Sequence, residues 1–264
     1  MDKKYKVGTQ HTSMHGETCT ITEECGRKSL VYFGGEFPHQ KLLHNSQLHT
    51  GLFAGDFRRS VYGTGIYVPY KQYCCREEPK TPITRAYNMW SNMLKRAYCP
   101  EQLAVDPTYT GTTVYAPWHR SDVYWQWAEK QVGWLKDGYH QDKDILFYGN
   151  KVYSPETCVF IPNQLNTFLS DCRKVRSPYG QGVLLRNDKY TATIWNNNKP
   201  RRIGTFITQK EAQEAFAEEK TRIGREWGQR LKSGEFDVDQ RVVDRMLTYI
   251  WIPNKREDIY ASGV

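Results

Sequence analysis

The residues best suited to chemistry stand together near the middle of the chain. His140, Asp142 and Asp144 supply an imidazole and two carboxylates, and Lys143 stands between the two acids. Carboxylate oxygens are ligands that hard divalent ions prefer, and histidine is the commonest general base in enzymes. Three asparagines follow in the same stretch: Asn150, Asn163 and Asn166.

The elements around these residues are predicted to be short. Gly149-Asn150 is typical of a tight turn, and Ser154-Pro155-Glu156 predicts a helix start with serine as the N-cap. Pro162 then interrupts the chain before a further helical turn, Asn163–Leu169. The segment therefore predicts a strand, a turn, a second strand and a short helix.

A longer helix is expected to precede the acids. Apolar residues recur with helical spacing over 83–98, and Cys99-Pro100 ends the pattern. Arg96 lies off the apolar face, where it could reach a phosphate or only keep the surface soluble. A second helix is expected to begin at Ser121-Asp122. The aromatic residues around it favour a buried core over a platform for stacking bases: Trp118, Tyr124, Trp125, Trp127 and Trp134.

The C-terminal third predicts a three-stranded antiparallel sheet backed by one helix. Strands are expected at 182–186, 190–195 and 202–206, joined by turns at Asn187-Asp188 and 196–198. Thr208 and Glu211 have the spacing of a capping box, so the helix is expected to begin there. In the middle strand, alternation directs one set toward the helix and the other outward with the basic residues: Tyr190, Ala192 and Ile194 inward, and Thr191, Thr193 and Trp195 outward.

Positive charge is concentrated in this region. The chain has 37 Lys and Arg against 29 Asp and Glu, a net charge of +8. Between Cys172 and Phe206, eight basic residues accompany one acid, so this segment carries +7. A basic segment rich in aromatic residues favours nucleic acid over a membrane or an acidic substrate. The residues expected to hold DNA here are Arg186, Lys189, Trp195, Lys199, Arg201 and Arg202.

Residues 1–75 predict a small all-β module, similar to a barrel of short strands. The clearest strands are 17–22 and 29–33, with Gly26 in the turn between them. Its histidines lack the spacing of a metal site, so exposed loop and strand-edge positions are favoured. The seven cysteines of the chain, together with the lack of a signal peptide or a long apolar run, favour free thiols in a reducing cytoplasm.

Two stretches resemble families that act on DNA. The runs D-K-D-I-L at 142–146 and G-N-K-V-Y-S-P-E-T-C at 149–158 resemble ββα-metal nucleases of the HNH type. The runs Y-T-A-T-I at 190–194, I-G-T-F at 203–206 and T-Q-K-E-A at 208–212 resemble the Apetala-type DNA-binding domain. With Y-x-x-W-x-x-M-x-x-R at 87–96, the whole arrangement is similar to phage-encoded HNH-type homing endonucleases that have such a C-terminal domain.

The HNH resemblance implies one divalent ion, Mg²⁺ or alternatively Mn²⁺. Asp142 matches the metal-binding acid, and Asn150, Asn163 or Asn166 would complete the site. Lys143 stands where most of the family has its general-base histidine. A lysine between two acids is expected to keep its proton, which leaves His140 as the other base. Arg96 and the basic residues of the sheet would contact the DNA.

The sequence therefore predicts an α+β chain in four parts. These are a small β-barrel-like module (1–75), a degenerate HNH-like core with flanking helices (81–170), an Apetala-type domain (176–223) and a helical extension (224–264), which is read as a basic spacer at 225–232 and a helix at 238–251. We expect a metal-dependent endonuclease that acts on double-stranded DNA in the cytoplasm of a bacterial host, with no membrane partner. The alternative is a catalytically inactive DNA-binding regulator or anti-defence protein on the same scaffold. The sequence does not identify a protein partner for the N-terminal module.

Overall fold

A computed structural model describes residues 5–68, 82–170, 177–196 and 199–251. Helices and strands are mixed throughout this part of the chain, as the predicted α+β class requires. The strands form several small sheets, and among the described residues none closes into a barrel. Residues 71–81, whose polar sequence predicts a linker, lie outside the described residues, as does most of the turn predicted at 196–198.

The N-terminal module is an open antiparallel sheet whose strands follow chain order: β1 (Gln10–Thr12), β2 (Thr18–Cys25), β3 (Lys28–Phe33) and β4 (His39–His44). Buried side chains alternate along the strands and form one apolar face, which Leu48 of α1 (Asn45–Thr50) and Phe53 cover. The expected barrel-like closure is wrong. The sheet stays open because β1 pairs three residues with β2 and does not pair with β4.

The central unit begins with α2 (Pro82–Tyr98), where the apolar spacing predicts a helix. Trp90, Met93 and Leu94 are buried on its inner face. The aromatic run is core, as the sequence favours, since Trp118, Tyr124 and Trp125 are almost completely buried. The short elements that follow α2 are α3 (Pro100–Val105), a 3-10 turn (Pro107–Tyr109), β7 (Thr113–Val114), a second 3-10 turn (Ala116–His119) and α4 (Ser121–Ala128).

A hairpin joins the N-terminal module to this unit. It consists of β5 (Arg59–Val61) and β6 (Gly65–Ile66), and Val61 belongs to the central core. A Cβ at Gly65 would lie 2.5 Å from a Leu94 methyl, so only glycine lets the hairpin come this close to α2. The guanidinium of Arg120, beside α4, lies over the Phe37 and Phe57 rings of the module at 5.4 and 5.1 Å.

Beyond α4 the chain forms two antiparallel strands and a helix. β8 (Tyr139–Asp142) pairs with β10 (Val159–Pro162), and α5 (Asn163–Leu169) follows directly. Between them, β9 (Val152–Tyr153) pairs in parallel with β7. The chain thus forms a strand–strand–helix unit at other positions than predicted. Its second strand, β10, follows the place where the sequence predicts the short helix, and its helix is the further helical turn predicted at Asn163.

The predicted helix at Ser154-Pro155-Glu156 is wrong. Residues 154–157 form a turn in which the Thr157 hydroxyl donates to the Val152 carbonyl at 2.7 Å. The same hydroxyl accepts from the Ser154 backbone N–H at 3.1 Å. Because β10 begins two residues later and must extend to pair with β8, a helix begun at Ser154 has no room to continue.

Strand β10 is the wall between two hydrophobic cores. All four of its residues are buried. Phe160 packs into the core of α2 and α4, whereas Val159 and Ile161 pack into a second core that extends through α5 to the C-terminal sheet. A strand covered on both faces has a continuous apolar run, and the chain has one at 159–161. The predicted boundary between the central and C-terminal parts is therefore crossed by a shared core.

The C-terminal sheet has the predicted order of antiparallel strands, β11 (Val183–Arg186), β12 (Lys189–Asn196) and β13 (Lys199–Phe206). Ala192 and Ile194 are buried toward the following helix, α6 (Gln209–Lys232). The capping box is confirmed: the Thr208 hydroxyl accepts from the Glu211 N–H, and the Glu211 carboxylate accepts from the Thr208 N–H. Asn187 and Asp188 both have positive φ, as a tight hairpin turn requires.

The predicted basic spacer at 225–232 is wrong, because α6 continues through Lys232. Ile223, Trp227 and Leu231 recur every four residues on its buried face, and this stripe supports the extra turns. The last helix is shorter than predicted, α7 (Gln240–Leu247), and its buried residues are Val242, Val243 and Met246. No helix in the described ranges has the length and apolar character needed to cross a membrane.

Candidate functional site

A cleft of about 570 Å³ lies between α2, β8 and α5. It brings together most of the residues that the sequence singles out near the acids. His140, Asp142 and Lys143 line it from β8 and its end, Asn166 from α5 and Arg96 from α2. The remaining lining residues are Arg85, Asn88, Met89, Asn92, Tyr109, Tyr139, Gln141, Asp144 and Tyr153.

Asp142 is held in position by the backbone that follows it. Its Oδ1 accepts from the N–H groups of Asp144 and Ile145 at 2.8 and 2.7 Å, which fixes the carboxylate at the end of β8. Burial raises the pKa of Asp142, and the nearby Asp144 carboxylate raises it further. A carboxylate in this position gains from a nearby cation, which would relieve both effects.

Lys143 is buried, and its hydrogen bonds connect the two ends of the loop 143–150. Its Nζ donates to both carboxylate oxygens of Asp144 at 2.8 Å and to the Asn150 carbonyl at 2.6 Å. A nitrogen that donates to three oxygens has no lone pair with which to take a proton from water. The geometry therefore assigns Lys143 to holding the loop, and it does not support the predicted role of general base.

Asn150 hydrogen-bonds across the same loop from its other end. Its amide NH₂ donates to the carbonyls of Lys143 and Val152 at 2.9 and 2.6 Å, and its side-chain oxygen accepts from the Val152 N–H at 3.1 Å. Both ends of the amide are engaged with backbone. Asn150 does not line the cleft, and these contacts fit a structural role better than the predicted metal ligand.

The two asparagines of α5 point to different places. Asn166 lines the cleft with Asp142, whereas Asn163 lines a separate groove beside β11 and β12. Of the three predicted asparagines, Asn166 is the one that the fold brings to the acid. His140 is exposed on β8 two residues before Asp142, so both side chains lie on the same face of the strand.

Arg96 faces Asp142 across the cleft and is partly buried there. Its guanidinium lies 5.6 Å from the centre of the Tyr109 ring and hydrogen-bonds to Tyr153. Burial lowers the pKa of Arg96, but the two tyrosines and Asp142 outweigh that effect, so the pKa is raised overall and the group stays cationic. A fixed cation opposite a carboxylate suits the binding of a phosphate.

Sequence reasoning missed Asn88, Asn92 and Tyr109. The two asparagines stand four and eight residues before Arg96, so helical spacing places all three on one face of α2. That spacing was available in the sequence, but the apolar stripe of the same helix is the stronger pattern. Tyr109 had no such signal, because the separate 3-10 turn Pro107–Tyr109 brings it to the cleft.

The cleft holds oxygen donors of the kind that a hard divalent ion prefers. Among the described residues, no group of three His, Cys, Asp or Glu side chains is placed to hold a metal. Asp142, Asp144 and Asn166 bring carboxylate and amide oxygens to the cleft. Mg²⁺ is commonly held by one or two carboxylates and completes its shell with water and phosphate oxygens. A site of this kind needs few protein ligands.

The outer face of the C-terminal sheet carries only part of the predicted DNA-binding set. Three cross-strand pairs lie on this face: Arg186 with Lys189, Thr193 with Arg202, and Trp195 with Pro200. Arg201 pairs with the buried Ile194 and forms a salt bridge with Glu219 of α6, so it lies on the helix side. Lys199 is exposed, and because it lies two residues before Arg201 on the same strand, it is on the same side of the sheet as Arg201. Trp195 is 59% exposed, which leaves its ring available to a ligand.

A bulge decides this distribution. The pairing of β12 with β13 shifts by one residue between Ala192 and Thr193, which leaves Ile203 without a partner. Every residue of β13 before the bulge therefore changes face relative to strict alternation. Arg202 turns outward and Arg201 turns inward.

The fold and the cleft define an α+β protein with a carboxylate, an amide, an imidazole and an arginine at the edge of a strand–strand–helix unit. Comparison of the chain with models of protein families, with curated proteins and with solved structures finds no match. The assignment of a function rests on the geometry of the cleft and of the sheet.

Proposed function

We propose that the chain is a metal-dependent endonuclease that binds double-stranded DNA and hydrolyses its phosphodiester bonds, in the manner of HNH-like homing endonucleases. One observation carries the proposal. The unit of β8, β10 and α5 sets Asp142 at the end of its first strand and Asn166 on its helix, in one cleft with His140 and Arg96. The basic outer face of the adjoining sheet supports DNA as the substrate.

Each residue of the cleft has a role in this proposal. Asp142 and Asn166 hold the divalent ion, which when bound would stabilise charge on the phosphate and promote ionisation of water. Arg96 binds a non-bridging oxygen of the phosphate and holds the backbone over the carboxylate. His140, exposed at the rim, accepts the proton of the attacking water. Lys143 and Asn150 keep the loop that orients Asp142 rigid.

The test is a cleavage assay on duplex DNA with Mg²⁺ or Mn²⁺, run beside a mobility-shift assay on the same DNA. Asp142→Ala and Asn166→Ala are expected to abolish cutting, with losses of at least a hundredfold, while the mobility shift persists. Asn163→Ala is the matched control, since it changes the same residue type on the same helix outside the cleft. Cutting that survives in Asp142→Ala, or is lost equally in Asn163→Ala, contradicts the assigned site.

A second candidate function is favoured by Lys143. This lysine occupies the position of the family's general base and is committed to Asp144 and Asn150. A chain that lost the base but kept the sheet would bind DNA without cutting it, as a regulator or an anti-defence factor. Strong binding without metal-dependent cutting, on DNA that contains the bound site, would favour this function over the nuclease.

A further inference from the structure

The face of α2 that lines the cleft carries two amide side chains, and among the described residues no contact assigns either of them a structural role. Asn88 and Asn92 are exposed, and in the described part of the chain neither side chain has a hydrogen-bond partner. Their neighbour Arg85 differs. Its guanidinium donates to the carbonyls of Leu135 and Lys136 at 3.0 and 2.6 Å and pairs with Asp137 at 2.8 Å, so it anchors the following loop.

The charge of α2 suits a polyanion. The helix contains no acidic residue, and Lys95 and Arg96 stand in its last turn. Arg96 is held at the cleft by Tyr109 and Tyr153. A negatively charged backbone that reaches Arg96 could therefore continue along the helix past Asn92 and Asn88 without meeting a like charge on α2.

We propose that α2 lies along a groove of the bound DNA and that Asn88 and Asn92 read base edges next to the phosphate held by Arg96. This inference rests on the proposed DNA-binding function and adds a determinant of sequence preference outside the sheet. Asparagine pairs through its amide with the N6 and N7 atoms of adenine in the major groove. Adenine is therefore the base expected opposite each amide.

The helix also sets the spacing. When a helix lies in the major groove, side chains about three residues apart contact successive bases. Asn92, four residues before Arg96, is therefore expected about one base pair, and Asn88 about two to three base pairs, from the base next to the phosphate at Arg96. Both preferred positions should lie on the same side of that phosphate.

The experiment is selection of bound duplexes from a randomised pool by mobility shift, which requires no cutting. Asn92→Ala and Asn88→Ala are each expected to flatten base preference at one position, on the order of tenfold, and to leave the other positions as they are. Gln229→Ala, an exposed amide on α6, is the control and should leave every preference intact. Alanine favours helix, so these variants are expected to fold.

Asn92→Asp provides a gain of preference. A carboxylate accepts from the N4 amine of cytosine, so the preferred base at that position should change from adenine to cytosine. Unchanged preferences in all three asparagine variants, with normal binding, overturn the inference and leave the DNA-binding function standing. Failure of the wild-type chain to bind any duplex in the pool overturns both.

Discussion

At the scale of single residues, the sequence supplies the chemical groups of the cleft but not their assignments. Asp142, His140 and Arg96 are where the pattern indicates, and the sequence leaves three asparagines open. Only the fold separates them, because Asn150 is engaged with backbone on both sides of its amide and Asn163 faces away. The contacts of Lys143 could not be predicted either, since the Asn150 carbonyl is brought to it by a loop.

Asp142→Asn is expected to stabilise the fold at neutral pH while it removes activity. Burial raises the pKa of Asp142 above its ordinary value near 3.8, so the ionised carboxyl is unfavourable in the folded state. Asparagine keeps an oxygen for the Asp144 and Ile145 N–H groups and removes the charge. The expected result at neutral pH is a higher Tm for Asp142→Asn than for the wild type.

The pH dependence gives the sign of this effect. The folded chain holds the proton of Asp142 more tightly than the unfolded chain, so the wild type loses stability as pH rises from the ordinary aspartate value through the raised one. Below that window the wild type and Asp142→Asn should converge, and Mg²⁺ should raise the Tm of the wild type alone. Thermal melts of both proteins across pH check this. The prediction is contradicted if the Tm of Asp142→Asn relative to that of the wild type is lower at neutral pH than at acid pH.

At the scale of elements, local signals predict some structures and longer-range packing decides the others. The capping box at Thr208 and the apolar stripe of α2 are local, and both helices begin where the sequence predicts. Ser154-Pro155-Glu156 has the local signal of a helix start, but the pairing of β10 with β8 overrides it. The bulge at Ala192 leaves no mark in the sequence, so alternation alone cannot say that Arg202 faces outward and Arg201 inward.

The close approach of α6 and α7 makes a prediction of its own. A Cβ on Gly228 would lie 2.6 Å from the Leu247 backbone nitrogen and 2.7 Å from the Met246 carbonyl carbon. Gly228→Ala should therefore destabilise the protein by about 1–3 kcal/mol, although alanine is the better helix former. Gln229→Ala, next to it on the exposed side, should leave the Tm within about 1 °C. Thermal melts of the two variants compare the effects, and equal Tm values would mean that the helices can separate at little cost.

At the scale of the whole molecule, the distribution of charge predicts how DNA binding responds to salt. If the outer face of the sheet contacts phosphates, Arg202→Ala should reduce the slope of log binding constant against log salt by about 0.9. Arg201→Ala removes the same charge one residue away but on the helix side, where Glu219 already pairs with it. It should leave the slope nearly unchanged. Mobility shifts over a salt series measure both, and equal slopes for the two variants would place the DNA elsewhere.

The shared strand β10 bears on how this chain can be cut and recombined. Val159 and Ile161 lie in the same core as Ala192, Ile194 and the buried face of α6. A fragment that starts after residue 176 leaves that core without one wall, and a fragment that stops at residue 170 leaves the apolar side of α5 in water. The C-terminal sheet and α6 therefore do not form an independent folding unit. A fusion that transfers the sheet to another enzyme would have to include β8, β10 and α5. Those elements also contain Asp142, His140 and Asn166 of the cleft.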